Sequence, residues 1–480
     1  MRTCALQIRW QEILGRQSPF LKSVFTLSAG TMMAQMLGVF VMPIISRVYN
    51  PADFGLLGTF SAVATVVGMT CTLKYEWAQV TAANEEDASL LHALGWILSL
   101  VTAALSLAGI MAWELWGCPL PGLYGLLPVT VLLVALTSVE TFRLNRGAYY
   151  RRLSLSRVAS SLAGAPVRIG LGLMQCGAMG LGLADVLAQT VGLGLIGKRP
   201  KPAHIGDLRR VAGAYRRFAL FSAPAALLNT ISYQFEYLLF AVWFTLPQIG
   251  AYFLWNRVIA IPKQILASSI WQVFLKDTAL LQRSEILERK THRQAHLIAL
   301  TALPYYSGAL LLPSFMGLFF GCQWEAYVDL ITPILIGGHV NLVVSSFSVF
   351  VILNENRAEL VFNALLSVSK ILAVCLLATY VGNFTVTVWA IGIAQALLFW
   401  GLGEWNYRML GSRPGMFSWL YWRYGIWPSI LPLLVLVLAM RCTSSLVILA
   451  LLCLILNGIH LWRNGGLRSF CELRQEVLSE

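Results

Sequence analysis

Charged residues are scarce in this sequence. They make up 12% of its 480 residues, whereas about a quarter of the residues of a soluble domain are charged. Hydrophobic residues make up 58%, which is more apolar surface than a soluble core can bury. A bilayer can accommodate it, because a hydrocarbon layer of about 30 Å is spanned by roughly 20 apolar residues in a helix. The composition therefore predicts an all-α integral membrane protein.

The sequence also lacks the patterns of several kinds of functional site. Its nine cysteines include no CxxC pair and no Cys/His cluster at metal-ligand spacing, so they indicate apolar packing and neither a metal site nor a disulfide framework. No GxxxxGK[ST] loop is present, so ATP is not indicated as an energy source. We expect no metal and no cofactor, with coupling to Na⁺ or H⁺ left open.

Apolar windows between charged or Gly/Pro-marked breaks predict about fourteen membrane helices. They lie near residues 24–46, 54–73, 90–112, 119–139, 158–176, 180–197, 218–243, 248–275, 295–320, 326–353, 359–381, 384–403, 417–440 and 443–461. The first 23 residues carry basic residues through a mixed polar stretch, and no small-residue cleavage site follows the first apolar run. The first helix is therefore expected to be a retained span.

The distribution of Lys and Arg supports this helix count. With a cytoplasmic N-terminus, most of the 35 Lys and Arg residues fall in cytoplasmic loops and tails, and only Arg47 and Arg441 fall in loops on the opposite side. We predict a multi-pass protein of the bacterial inner membrane with both termini cytoplasmic. The outward loops are too short for an extracytoplasmic catalytic domain, so we expect no enzyme. Anionic lipid headgroups explain the net charge of +13 better than nucleic acid does, because the basic residues occupy short breaks between apolar runs.

Three pairs of features indicate that the first six predicted helices are repeated by the next six. The pairs are residues 47–55 with 244–252, Lys74 with Lys276, and Arg168 with Lys370, and each of the last two pairs is 202 residues apart. An even number of spans in each half makes the repeats parallel, with a substrate site at their interface. The predicted divisions are a cytoplasmic segment 1–23, a six-helix lobe 24–200, a cytoplasmic linker 201–217, a six-helix lobe 218–403, two additional membrane helices 417–461 and a cytoplasmic tail 462–480.

Positive charges inside the predicted spans are candidates for function, because an Arg or Lys at a helix centre costs roughly 2.5–3.5 kcal/mol to insert. Arg168, Lys370 and Lys263 lie near midspan, and Arg257 lies in the outer half of the eighth span. If these side chains face one cavity, they form a cationic surface for a phosphate or pyrophosphate group. The alternative is that each cation pairs with a carboxylate on a neighbouring helix, as Arg257 could with Glu236.

Acidic residues are scarcer at midspan than basic ones. Asp185 and Glu236 lie clearly inside spans, and either could bind a coupling Na⁺ or proton, since carboxylates in water-accessible membrane cavities act as relay groups. The imidazole of His339, which follows two glycines, is expected to be packed and hydrogen-bonded rather than a proton relay.

The segment Pro43-Ile-Ile-Ser-Arg-Val-Tyr-Asn-Pro-Ala-Asp-Phe-Gly55, followed by a helix ending Leu73-Lys-Tyr-Glu76, resembles the opening of the Wzx-type polysaccharide flippases. These O-antigen translocases belong to the multidrug/oligosaccharidyl-lipid/polysaccharide exporter superfamily. The stretch Gly250-Ala-Tyr-Phe-Leu-Trp-Asn-Arg257, continuing through Pro262 to Gln272-Val-Phe274, is similar to helices seven and eight of that family. The resemblance covers roughly residues 20–400.

The resemblance implies two six-helix lobes around a central cationic cavity. The diphosphate headgroup of an undecaprenyl-linked oligosaccharide would be held there during alternating access, with Arg257 matching an arginine of the family's eighth helix and Arg47 matching the motif after the first. Helices thirteen and fourteen would form a groove for the polyprenyl tail or pack outside. The implied partners are this lipid-linked oligosaccharide, membrane lipids and other polysaccharide-assembly proteins, with no nucleic acid.

The leading functional hypothesis is therefore a flippase for a lipid-diphosphate-linked oligosaccharide such as an O-antigen repeat unit. Two alternatives stay open. A small-molecule multidrug antiporter of the same superfamily would be expected to have an acidic cavity for cationic drugs, whereas the midspan balance here is basic. An integral-membrane glycan polymerase or ligase would be expected to have a large outward loop.

The predicted topology can be tested by cysteine labelling. Single cysteines placed at Gly177 and Lys201 should react with a membrane-impermeant reagent from opposite sides of the membrane, because one span separates them. Labelling of both from the same side would refute the helix assignment.

Overall fold

The computed structural model of the protein describes residues 19–117, 119–260, 285–347, 356–442 and 445–463. Within these ranges all regular structure is helical and no strand occurs. The helices are α1 Pro19–Val48, α2 Pro51–Thr70, α3 Tyr75–Thr81, α4 Glu85–Leu115, α5 Leu127–Arg146, α6 Tyr150–Leu173, α7 Gly177–Ile196, α8 Ile205–Ala214, α9 Ala223–Trp243, α10 246–260, α11 Glu285–Ala299, α12 Ala302–Phe320, α13 Ile331–Ser345, α14 Asn356–Tyr380, α15 Phe384–Met409, α16 Met416–Leu420, α17 Trp427–Cys442 and α18 Leu446–Arg463. Short 3₁₀ segments precede α5 and α13, and π-helical turns precede α9 and α17.

Ten helical stretches in these ranges are long and apolar enough to cross a bilayer. The longest is Ile286–Phe320, which combines α11 and α12 in 35 residues. At about 1.5 Å per residue, even the shorter stretches of 19 or 20 residues reach roughly 30 Å, the thickness of the hydrocarbon layer. The predicted all-α integral membrane fold is confirmed, while the count of about fourteen spans stays a prediction.

The chain divides into two compact units, Met1–Phe253 and Leu254–Glu480. The first unit extends beyond the predicted boundary at 201–217 because α9 packs against α2. The linker helix α8 is also held in this unit. Its Arg210 Nη2 lies 3.2 Å from Asp87 Oδ1, and its Ala212 carbonyl accepts a 3.1 Å hydrogen bond from the Tyr75 hydroxyl. The linker is therefore docked on the first unit as an ordered helix.

A backbone contact without side chains joins α2 to the start of α10 in the first unit. A Cβ atom on Gly55 would lie 2.0 Å from the Leu246 carbonyl oxygen, and one on Gly250 would lie 1.8 Å from the Pro51 carbonyl oxygen. Only glycine permits such an approach without displacing backbone. The two segments in contact are the ones that the sequence pairs as repeats, 47–55 and 244–252.

In the second unit, the C-terminal helices pack onto α12 and α13. A buried imidazole joins them, because His339 Nδ1 lies 2.6 Å from the hydroxyl of Tyr421, in the π-helical turn Tyr421–Ile426. Its Nε2 lies 3.2 Å from the Thr301 hydroxyl, and its exposure is 0%. The expectation of a packed and hydrogen-bonded His339 is confirmed.

The glycine contact can be tested by a matched pair of substitutions. Gly250→Ala should destabilise the protein by about 1–3 kcal/mol, because the added methyl group overpacks a backbone contact. Gly109→Ala, in α4, is the control, because a Cβ there meets nothing within 4 Å and alanine is the better helix former. Thermal unfolding in detergent should show a lower Tm only for Gly250→Ala, and equal Tm values would contradict the contact.

Candidate functional site

The turn after α1 is connected to the C-terminal part of α6 by a buried tyrosine. The Tyr49 hydroxyl donates a 2.8 Å hydrogen bond to the Arg168 carbonyl oxygen. Gly172 and Gly180 make room for the side chain, since a Cβ on Gly172 would lie 2.6 Å from the ring and one on Gly180 would lie 2.9 Å from the hydroxyl. Tyr49 lies between the spans 30–48 and 51–70, and burial raises its pKa to about 12. The phenol therefore stays protonated and can keep donating at any physiological pH.

The same turn also positions the start of α7. α2 begins with Pro51 at its first position, which suits the fixed φ of proline, and the Asp53 carboxylate accepts a hydrogen bond from the Asn50 amide at 3.0 Å. The other carboxylate oxygen of Asp53 accepts from the Ala178 amide at 2.9 Å. One carboxylate thus holds the beginnings of both α2 and α7, two of whose N–H groups would otherwise lack partners.

With α6 and α7 held side by side, Arg168 and Asp185 form an ion pair in which Arg168 Nη2 donates to Asp185 Oδ1. The exposed fractions of the two side chains are 19% and 22%, so the pair is partly accessible. The sequence predicted these residues separately, Arg168 for substrate and Asp185 for a coupling ion. The structure brings them together as an ion pair between neighbouring helices, while their substrate-binding and ion-coupling roles stay predictions.

The remaining predicted site residues lie on other helices. Arg47, in the last turn of α1, and Arg257, in α10, are exposed. Lys370, in α14, and Glu236, in α9, are buried, with exposed fractions of 5% and 7%. Lys263 lies outside the described residues. The substrate-binding and ion-coupling roles of these residues stay predictions.

Sequence reasoning missed a buried ion pair in the first unit. The exposed fractions of Lys74 and Glu76 are both 1%, and Lys74 Nζ lies 3.5 Å from Glu76 Oε1. Lys74 closes a predicted span, a position in which a lysine ordinarily marks the cytoplasmic side. The one available signal was an acid two residues from a base beside an apolar helix, which does not reveal burial.

A second polar network was also missed, around the wholly buried carboxylate of Glu140. His92 Nε2 lies 2.9 Å from Glu140 Oε1, and Arg143 Nε donates to Glu140 Oε2 at 2.6 Å. The Trp96 indole and the Lys198 amide donate to the same carboxylate at 3.1 and 3.2 Å. This network joins α4, α5 and the chain after α7. Its hydrogen bonds and ion pair stabilise a charged group that would otherwise be unfavourable in an apolar lobe.

Arg146, a second arginine in the last turn of α5, has a structural role as well. Its guanidinium donates to the carbonyls of Gln79 and Ala82 at 2.8 and 2.9 Å, and it pairs with Glu85 at 2.9 Å. Arginines such as Arg143 and Arg146, at the end of a membrane helix, ordinarily set topology at the lipid surface. The structure shows that both also hold carbonyl or carboxylate groups inside the first unit.

The chemistry available in the first unit is anion binding. Among the described residues, no group of three or more His, Cys, Asp and Glu side chains could hold a metal ion. A guanidinium carries five N–H donors in a planar fork that fits phosphate oxygens. Within the part of the chain that the structure describes, Asp185 engages only Nη2 of Arg168, so donors remain for an approaching anion.

Known structures and sequences share this architecture. The fold is similar to that of the lipid II flippase MurJ in an inward closed conformation, with a TM-score of 0.68, 13% sequence identity, and coverage of 90% of this chain and 97% of that structure. At this identity the likeness concerns the fold alone. The succinoglycan biosynthesis transport protein ExoT of Rhizobium meliloti (strain 1021) is 26% identical over 306 residues, and the match spans 59% of each chain.

A family model shows which family the chain belongs to. Residues 44–329 match the family described as polysaccharide biosynthesis protein. The matched range begins near the end of α1, just before Tyr49 and Asp53, and it includes the Arg168–Asp185 pair and the glycine contact between α2 and α10. It covers more than half of the sequence. The chain therefore belongs to the polysaccharide biosynthesis protein family.

Proposed function

We propose that this chain is a transporter that flips a lipid-diphosphate-linked oligosaccharide, such as an O-antigen repeat unit, from the cytoplasmic to the periplasmic face of the inner membrane. Arg168 is the observation that carries the proposal. It is a permanent positive charge in α6, it is partly exposed, and a single carboxylate, on the apolar helix α7 that is long enough to cross the membrane, engages one of its nitrogens. Membership of a polysaccharide biosynthesis family, a relative named as a transport protein and a flippase-like fold support this function.

Substrate binding at this pair is an exchange of anions. A phosphate oxygen that approaches Arg168 competes with Asp185 for the guanidinium, and charge-assisted hydrogen bonds of this kind contribute about 1.5–3 kcal/mol. Asp185 then loses its cationic partner inside the membrane, where an isolated carboxylate is unstable. It would take up a proton or Na⁺ instead, which couples substrate binding to ion binding. Glu236 is the second candidate for this coupling.

The other cations extend the binding surface. Arg257, Lys370, Lys263 and Arg47 are proposed to contribute further positive charge along the path of the diphosphate. Lys370 is the counterpart of Arg168 in the repeat, so each half of the sequence supplies one cation. The transport cycle is alternating access, in which binding favours one conformation over another.

The role of Arg168 can be separated from simple charge pairing with three variants. If the pair serves only stability, Arg168→Gln and Asp185→Asn should each impair transport, and the double variant should recover it because no charge is left unpartnered. If Arg168 binds the diphosphate, Arg168→Gln should reduce transport about 10- to 100-fold, matching the loss of a charge-assisted hydrogen bond, and the double variant should stay as defective. The measurement is accumulation of lipid-linked oligosaccharide on the cytoplasmic face, with protein levels checked.

The wider cationic surface has its own test. Arg168→Ala, Arg257→Ala and Lys370→Ala should each cause the lipid-linked oligosaccharide to accumulate, because each removes a positive charge from the diphosphate path. Arg441→Ala is the control, since this exposed arginine lies at the end of α17 and outside the proposed path. Transport that survives all three changes would refute the cationic-path hypothesis.

A further inference from the structure

A short left-handed segment interrupts the helix that begins at Pro51. α2 ends at Thr70 and α3 begins at Tyr75, and between them Leu73 and Lys74 have φ angles of 49° and 60°. Residues with a Cβ atom rarely adopt this conformation, because the Cβ approaches the following carbonyl oxygen. Neither residue is glycine, so two consecutive strained residues are held in place by their surroundings.

Two charges are buried at the same point. Lys74 and Glu76 form the ion pair described above, and the Thr72 hydroxyl donates a hydrogen bond to Glu76 Oε2. Lys74 Nζ also lies 5.3 Å from the centre of the Trp77 ring, within range of a cation–π contact. Removing one partner of such a pair leaves an uncompensated buried charge, so the two groups hold each other in position.

The ion pair depends on the interruption. Residues two apart in a continuous helix point to different sides and do not face each other. Lys74 and Glu76 meet only because the left-handed residues redirect the chain between them. If residues 71–74 became helical, α2 and α3 would merge into one helix over 51–81 and the pair would separate.

One polar group of the cluster lacks a hydrogen bond in this conformation. Glu76 Oε1 faces the Lys74 ammonium at 3.5 Å, whereas Gln79 Nε2 is buried with no hydrogen-bond partner among the described residues, and Gln79 is only 1% exposed. Buried polar groups without a partner are uncommon and mark strain or a second arrangement. The far end of α3 is fixed, because Arg146 donates to the Gln79 and Ala82 carbonyls. A change at 71–74 would therefore alter the angle between α2 and α3 without unfolding α3.

We propose that the Lys74–Glu76 ion pair is a latch that holds α2 and α3 in the broken arrangement, against a competing continuous helix over 51–81. Lys74 and Glu76 are positioning residues. The backbone strain at Leu73 favours separation of the ion pair and formation of the continuous helix. That the continuous form belongs to the transport cycle rests on the proposed function. The latch itself is a property of the first unit and can be measured without substrate.

The test is a distance measured by pulsed electron paramagnetic resonance between spin labels at Ser61 and Thr81 in the purified full chain. A continuous helix places these positions about 30 Å apart, and the broken arrangement gives a shorter distance. Glu76→Gln and Lys74→Met should each move the main peak to about 30 Å. Glu114→Gln, which neutralises an exposed acid in α4, is the matched control and should leave the distance unchanged.

A second variant distinguishes a latch from general damage to packing. Glycine adopts positive φ without the Cβ penalty, so Leu73→Gly should relieve the strain and restore the short distance when combined with Glu76→Gln. A wild-type distance in both Glu76→Gln and Lys74→Met would overturn the proposal. A long distance in Glu76→Gln that Leu73→Gly does not shorten would overturn it too. If the variants change the distance as expected but the wild-type chain does not flip the lipid-linked oligosaccharide, only the proposed function is refuted.

Discussion

The hydrogen bond from the Tyr49 hydroxyl to the Arg168 carbonyl is the interaction on which the site in the first unit depends. It fixes the C-terminal part of α6 against the turn after α1, while Asp53, in the first turn of α2, fixes the start of α7. With both helices held, Arg168 and Asp185 meet although 17 residues separate them. A turn of a few residues thereby sets the geometry of a charged pair inside a membrane helix bundle.

The charges of the first unit obey one physical rule but differ in how far they are buried. A charge in an apolar lobe needs a partner, and Arg168, Lys74 and Glu140 each have one. Side-chain exposure distinguishes their carboxylates. Glu76 and Glu140 are 1% and 0% exposed, so they act on the protein itself, although Arg143 beside Glu140 is 21% exposed. Asp185 is 22% exposed, so solvent reaches the carboxylate partner of Arg168.

The sequence predicted the helices well because apolar length is a local property that hydropathy reads directly. It also identified Arg168 and Asp185 as charges inside predicted spans, but it could not show that they pair, since that depends on how α6 and α7 pack. Nothing in the sequence indicates that Lys74 is buried, because it ends an apolar run and only the left-handed turn directs its side chain inward. The Glu140 network could not be predicted either, because its partners come from three separate stretches of chain.

The π-helical turn at Tyr421–Ile426 has a consequence for the phase of the helix around it. A π turn contains one residue more than an α turn, so it rotates the rest of the helix by about 100°. Before it, Phe417 and Leu420 are buried within the second unit, as is Tyr421 at its first position; after it, Leu431, Leu434 and Leu438 form an exposed apolar stripe. Both faces are correctly directed only with the extra residue in place. Deleting one residue from this turn would bring the apolar stripe and the buried aromatic face out of register, although every side chain that makes them would still be present.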